Sequence, residues 1–459
     1  MRITINRSKM LYLLVLAFMG GLCILLVSLF VNGKTYAMHT ANRHLHGASA
    51  VDSFGSIEDR NGLLLADTKN GKRVYNNDST IRRAMLQTIG DTSFFISSGV
   101  HNTFKSELTG FNMIWGINTA ASGAKSNLKL TLDAKLCKTA LNALEGQKGA
   151  VGVYNYKTGE IIVMVSSPTY DIQNKPYDID TDKTGTYDGV YLNKLLSGLY
   201  VPGSVFKTVT AAAAIDNIPD ILTRKFNCSG QYKAADGIIK CMKEHGNLNF
   251  EQALNVSCNS VFAQVAIEVG AEKLQKTAQQ LGLTESFTVD RVNTAKGSVE
   301  LSEAGQASLG WAGIGQYTLV LNPVSIMRYM GAIANDGKAV NPFFVDKVVQ
   351  TDGTVLYKSG SPDTKKLLNV TTTNTLKSLM RSNVKNNYGD SRFKGLELCA
   401  KTGTAEVGEE KSPHAWFAGF SQRDDFPYAF VCVVENGGSG IGTAAPVIAR
   451  VLKEMDKTY

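Results

Sequence analysis

The run Tyr200-Val201-Pro202-Gly203-Ser204-Val205-Phe206-Lys207 is followed by an apolar stretch. Pro202 and Gly203 punctuate a turn, and Thr208 to Ile215 is expected as helix. Ser204 then stands at or near a helix N-terminus, with Lys207 three residues on along the same face. A serine hydroxyl is a poor nucleophile until a base takes its proton. Lysine can be that base if burial or a neighbouring cation lowers its pKa. The helix N-terminus adds partial positive charge and free N–H groups where an oxyanion develops. Taken alone, Ser-x-x-Lys is also an ordinary first helical turn.

Two further strings follow in order, Ser257-Cys258-Asn259 and Lys401-Thr402-Gly403-Thr404. Ser-x-x-Lys, Ser-x-Asn and Lys-Thr-Gly in this order are the motif set of penicillin-binding proteins and class A β-lactamases. The chain resembles a class B penicillin-binding protein, a peptidoglycan D,D-transpeptidase, over roughly residues 55 to 459. The resemblance implies roles. Ser204 Oγ attacks the carbonyl between two D-amino acids of a stem peptide, and Lys207 accepts its proton. Lys207 is expected neutral, through burial and the nearby Lys401 cation. Ser257 relays a proton to the departing D-alanine. Asn259 bonds Lys207 and the substrate backbone. Lys401 and Thr402 attract the terminal carboxylate. Gly403 leaves room for substrate along a strand edge. The N–H groups of Ser204 and Thr404 form the oxyanion hole.

Each motif has a plainer reading. Ser257 and Asn259 suit helix capping. Lys-Thr-Gly is a common turn tripeptide, and Lys157-Thr158-Gly159 repeats it in a hairpin. His414 could be a general base, but the resemblance makes His-Ala-Trp-Phe a structural strand beside the site.

The elements that must position these groups are partly visible. Gly149 to Asn155 and Glu160 to Ser166 read as a hairpin. Ala400 to Ala405, His414 to Phe420 and Tyr428 to Glu435 read as strands, and Pro446 to Met455 as a terminal helix. The pattern alone supports mixed α and β. The resemblance implies an α+β penicillin-binding domain at 149–459, a five-stranded antiparallel sheet with flanking helices and a helical subdomain. It further matches Asn193 to Lys207, Asn322-Pro323, Ile333 to Gly337 and Glu435 to Gly440. Gly315-Gln316-Tyr317 departs from it, because a second glycine is expected after the glutamine.

Ahead of this domain, Met10 to Val31 is uncharged and long enough to span a bilayer. Arg2, Arg7 and Lys9 precede it, so residues 1–9 are expected to be a cytoplasmic tail, 10–31 a single-pass anchor and the rest extracytoplasmic. A cleaved signal peptide is the rival reading, against which the length of the run and a poor cleavage site both count. Residues 32–148 are expected as a mainly β pedestal that does no chemistry. It opens with a polar stalk holding His39, His44 and His46, whose spacing fits no ordinary metal site. The stretch Gly55 to Ala66 contains Ile57-Glu58-Asp59-Arg60-Asn61-Gly62, similar to the signature opening the class B pedestal, and Asn61-Gly62 reads as a tight turn. The segment Gly90 to Gly110 fits that family more loosely. Asp133 is placed to cap a helix whose buried face is Leu136, Ala140, Leu141 and Leu144. The signature occupies the region where a glycosyltransferase domain would precede residue 149, so none is expected there.

Of 459 residues, 44% are hydrophobic, enough for a large core divided over two or three domains. The net charge of +8 suits anionic surroundings such as a membrane face or an anionic wall. No concentrated Lys/Arg tract is present, so nucleic acid is not an expected partner. Expected partners are peptidoglycan stem peptides, β-lactams, the membrane and a membrane glycan polymerase. No cofactor is expected, and no metal ligand is assigned to the catalytic set. Among the seven cysteines, Cys23 falls in the anchor, and Cys137 and Cys432 read as core. Cys228, Cys241 and Cys258, with His245, leave three readings open: free buried thiols, a Cys228–Cys241 disulfide, or a metal site joined by Cys258 or Cys399. The alternative functions are a β-lactamase or D,D-carboxypeptidase on the same fold, and an idle envelope scaffold or β-lactam sensor.

Overall fold

In the computed structural model, residues 2–37, 51–52, 54–109, 126–360, 363–408 and 411–459 are described. The three stalk histidines and Gly110 lie outside them.

Five strands build the sheet that carries the site, in the order Leu398–Ala405, His414–Ser421, Tyr428–Val434, Gly149–Asn155, Ile161–Ser167, with every neighbouring pair antiparallel. The central strand Tyr428–Val434 is buried throughout. That explains its continuous apolar sequence, since both faces are covered. Helix Pro323–Ala334 packs on Tyr428–Val434, His414–Ser421 and Gly149–Asn155. Helices Ala134–Ala143 and Ala445–Met455 pack on each other. The last of these begins with Pro446 in its first turn and buries Val447, Ile448, Val451, Leu452 and Met455, the spacing of one helical face. The expected sheet and terminal helix are therefore present. Leu398–Ala405 is the edge strand, and among the described residues no strand pairs with its outer side.

A second, six-stranded sheet runs Val355–Lys358, Val345–Gln350, Ser126–Leu130, Ser56–Glu58, Leu64–Lys69, Lys72–Tyr75. Its first two strands come from far downstream, so its membership crosses residue 148. Short helices at Ser79–Ala84, Leu86–Ile89, Val100–Thr103 and Lys105–Leu108 accompany it. The turn at Asn61-Gly62 forms, with Gly62 at φ 80°.

Asp59, 1% exposed, gives the signature around it a physical reason. Its Oδ1 accepts the N–H groups of Asn61 and Leu63, both at 2.8 Å, and its Oδ2 accepts that of Ala134 at 3.2 Å. The Arg60 N–H donates to Leu132 O, and Asn61 Nδ2 to Asp133 Oδ2. Asp133 itself caps Ala134–Ala143 by accepting from Lys135 and Leu136 N–H. The hairpin is thus tied to the helix that leads into the catalytic sheet. Asp59→Ala leaves three N–H groups without their carboxylate and should cost on the order of 3 kcal/mol. Denaturant unfolding checks this; a loss below about 1 kcal/mol would show that the tie does not matter.

Helix Arg2–Ala37 contains the stretch Arg7–Asn32, within which an 18-residue window has mean hydropathy 2.8 and no buried residue. It is long and apolar enough to cross a membrane.

Candidate active site

Gly203–Phe206 forms a 3₁₀ turn that runs directly into helix Lys207–Asn217. The expected helix is present and starts one residue earlier than its apolar pattern. Gly203 adopts φ +53°, and a Cβ there would stand 2.6 Å from Thr404 O. A Cβ on Gly403 would meet Pro202 O at 2.7 Å. Turn and edge strand therefore touch backbone to backbone, which only glycine at both positions permits. From behind, the Gly203 N–H donates to Gly315 O at 2.9 Å. Two residues on from Gly315, Tyr317 takes φ +70°. This is the position where a second glycine was expected, and the backbone there has the left-handed conformation that glycine adopts freely.

Alternate N–H groups of the edge strand point away from the sheet. Thr402 N–H donates outward to Tyr388 Oη at 2.9 Å. Directions alternate along a strand, so Thr404 N–H points to the same outer side. Ser204, half-buried, opens the helix end facing it.

Lys207 is fully buried. Its Nζ donates to Ser257 O at 2.6 Å, Ser257 Oγ at 3.1 Å and Asn259 Oδ1 at 2.8 Å. Lys401, also fully buried, donates from Nζ to Ser257 Oγ at 3.1 Å and to Thr402 O at 3.1 Å. Ser257 Oγ thus bridges the two amines. Burial holds the Lys207 amine well below its ordinary range, and the Lys401 charge lowers it further. Burial lowers Lys401 to about 7. Ser204 Oγ makes no hydrogen bond to Lys207 among the described residues, because the amine is turned to Ser257 and Asn259. Catalytic hydrogen bonds commonly tighten only when substrate is bound.

Ser257 owes its position to strained backbone. It has φ +54° and follows helix Phe250–Asn255. Cys258 N–H bonds Ala253 O and Ser257 N–H bonds Leu254 O. These two bonds make a Schellman ending with serine where glycine is usual. The strain, of order 1–3 kcal/mol, aims both the carbonyl and the hydroxyl of Ser257 at Lys207. The capping reading fails for Asn259, whose side chain bonds Lys207 and Lys240 O.

The structure brings Ser204, Lys207, Ser257, Asn259, Lys401, Thr402, Gly403 and Thr404 together, through the amine contacts to Ser257 and Asn259 and the close approach of the turn to the edge strand. Sequence reasoning missed Tyr388, which ends a π-helical turn, Val384–Tyr388, and bonds the Thr402 hydroxyl at 2.9 Å. It also missed Glu435, which accepts from Lys194 at 2.6 Å and from Tyr200 Oη at 2.9 Å. That pair steadies the lead-in to the nucleophile. His414 accepts the Asn436 N–H through Nδ1 and stacks edge-on against Tyr200, as a structural residue does. All seven cysteines are free thiols. Cys399 is buried apart from the others, against Lys377 O. Cys228, Cys241, His245 and Cys258 cluster.

A buried amine beside a helix-start serine, a bridging hydroxyl and an open strand edge define a serine acyl-transfer enzyme on an α+β scaffold. The model of the penicillin-binding protein transpeptidase domain matches residues 149–453. The chain belongs to that family, as a class B penicillin-binding protein. The peptidoglycan D,D-transpeptidase PbpA of Mycolicibacterium smegmatis is 26% identical over 371 residues, covering 72% of this chain and 73% of that protein. The peptidoglycan D,D-transpeptidase MrdA of Salmonella typhimurium is 25% identical, covering 92% of this chain and 74% of that protein. Among solved structures, the D,D-transpeptidase domain of a peptidoglycan glycosyltransferase from Eggerthella lenta superposes with TM-score 0.75 at 25% identity, over 88% of this chain and 98% of that one. Penicillin-binding protein A of M. tuberculosis, solved as a penicillin G acyl-enzyme, superposes with TM-score 0.76 at 23% identity, over 88% of this chain and 99% of that one.

Proposed function

We propose that this protein is a peptidoglycan D,D-transpeptidase that cross-links stem peptides through a Ser204 acyl-enzyme and is acylated there by β-lactams. The observation that carries the reading is Ser257 Oγ, 3.1 Å from both Lys207 and Lys401. It gives a proton a continuous route between the base and the leaving amine.

In the first step the neutral Lys207 amine takes the Ser204 proton as Oγ attacks the substrate carbonyl. The N–H groups of Ser204 and Thr404 hold the oxyanion; losing one such donor typically costs about 100- to 1000-fold in rate. The C–N bond breaks, and the proton passes through Ser257 to the departing D-alanine. An amine from a neighbouring strand then attacks the ester carbonyl to form the cross-linking amide, and as the ester C–O bond breaks one of the amine's protons passes through Lys207 to Ser204 Oγ. Lys401 and the Thr402 hydroxyl, which Tyr388 holds, receive the substrate carboxylate. A bound carboxylate favours the protonated Lys401. Gly403 keeps the strand flat enough for substrate to pair along the edge.

The basic residues Arg7 and Lys9 precede the uncharged run Met10 to Val31, which supports a cytoplasmic N-terminus and an extracytoplasmic catalytic domain. In this arrangement residues 32–148 are the pedestal and 149–459 the transpeptidase domain, with two strands lent back to the pedestal sheet. A membrane glycan polymerase is the partner that supplies the strands to be linked.

Labelling full-length protein in membranes with a fluorescent penicillin tests the reading. Label should appear on the wild type and vanish in Ser204→Ala. Label surviving that change would reject Ser204 as the nucleophile.

A further inference from the structure

We propose that Cys228, Cys241, His245 and Cys258 bind one zinc ion in a closed site. Their four ligand atoms all lie within 4.8 Å of one another. Cys241 Sγ is 3.8 Å from Cys258 Sγ. His245 Nδ1 is 3.6 Å from Cys228 Sγ and 3.5 Å from Cys241 Sγ. A tetrahedral zinc with Zn–S of about 2.3 Å and Zn–N of about 2.0 Å requires S···S edges of about 3.8 Å and S···N edges of about 3.5 Å. The three distances given match such edges, and the remaining three lie within 4.8 Å. A disulfide requires sulfurs about 2 Å apart, and these thiols are free.

The local fold converges on the same point. Cys228 ends strand Lys225–Cys228, Cys241 follows strand Gly237–Lys240, and His245 precedes strand Gly246–Asn249. The outer two of these strands pair with each other, and Gly237–Lys240 belongs to the small hairpin between them. The Cys241 N–H donates to Gly230 O and the His245 N–H to Cys228 O. Cys258 comes from elsewhere, at the start of helix Asn259–Val269. Two-stranded ladders of four residues are marginal by themselves. A metal held between them and the helix would fix both. Three thiolates and an imidazole are a soft donor set that selects zinc over calcium or magnesium. With four protein ligands the site is structural, with no coordination position left for substrate.

The site also reaches the catalytic groups. Cys258 stands between Ser257 and Asn259, and the Asn259 N–H donates to Cys241 Sγ at 3.2 Å. Such bonds to a ligand atom orient both partners. The metal therefore anchors the backbone on which Ser257 and Asn259 face Lys207, which makes these four ligands positioning residues for the acyl transfer. That consequence rests on the proposed Ser204 chemistry; the binding of zinc does not.

Full-length protein, purified in detergent without chelator, should carry about one zinc per chain by elemental analysis. Cobalt exchanged into it should show thiolate-to-metal charge transfer and the ligand-field bands of a tetrahedral site. Stripping the metal should lower the melting temperature and slow penicillin acylation, and zinc should restore both. His245→Ala, at a half-exposed ligand, should weaken zinc binding by more than about tenfold. Protein that is metal-free and takes up neither zinc nor cobalt overturns the proposal, as does a Cys241–Cys258 disulfide found by peptide mapping. Because metal content is measured without acylation, a dead nucleophile and a missing metal give different results.

Discussion

Lys207→Arg should reduce the acylation of Ser204 by penicillin at least about 1000-fold at neutral pH, within the range that positioned general bases supply. The side chain is fully buried and touches only neutral acceptors, with no carboxylate paired to it among the described residues. Lysine tolerates that position by losing its proton, and the neighbouring Lys401 pushes in the same direction. Arginine stays charged, so it can neither accept the serine proton nor escape the cost of an unpaired buried charge. The wild-type rate gives an independent readout. The base must be neutral, so acylation should fall as acid protonates Lys207. The direction follows from its lowered pKa, because burial first and the Lys401 charge second favour the neutral amine over the charged one. Stopped-flow acylation across pH, with a melting curve to establish that the variant is folded, checks both statements. A folded Lys207→Arg protein with near-normal acylation would mean that another group activates Ser204.

Much of this site was legible because its chemistry is written in short strings. Ser204 and Lys207 fall on one helical turn, Ser257 and Asn259 flank one residue, and Lys401 to Thr404 lie on one strand. Local pattern also located the terminal helix and the strands at 414 and 428, whose apolar runs are long. What stayed hidden depends on contacts between distant segments. Nothing near Tyr388 signals that its hydroxyl will meet Thr402 N–H across a π-helical turn. The strands Val345–Gln350 and Val355–Lys358 pair with each other locally, and only long-range pairing of the first with Ser126–Leu130 assigns them to the other sheet. Ser257 breaks a local rule by taking the conformation glycine prefers, and it does so where the bridging hydroxyl has to be aimed. The cysteine spacing chose no reading because the ligands come from separate strand ends and a helix start.

The penicilloyl adduct on Ser204 should persist for many minutes or longer after free drug is removed, and that lifetime separates a transpeptidase from a β-lactamase. Both acylate a serine, so acylation does not discriminate. Hydrolysis needs a general base that holds a water against the ester, and in class A β-lactamases that base is a glutamate. The chain has a Glu-x-x-Leu-Asn string from Glu251 to Asn255. It lies on helix Phe250–Asn255, before Ser257, where Glu251 is exposed and accepts from Ser382 Oγ at 2.7 Å. Leu254 on the same helix is fully buried, whereas the glutamate side chain lies at the surface. The polar partners of Lys207 and Lys401 are Ser257, Asn259, Tyr388 and Thr402, none of them a carboxylate. Water that enters therefore meets no carboxylate base among the described residues bonded to these amines, whereas an acceptor amine brings its own nucleophilic lone pair. Intact-protein mass spectrometry should find the adduct on the wild type well after the drug is gone. Rapid catalytic turnover of penicillin by wild-type protein, absent from Ser204→Ala prepared in parallel, would reject the transpeptidase reading in favour of a lactamase.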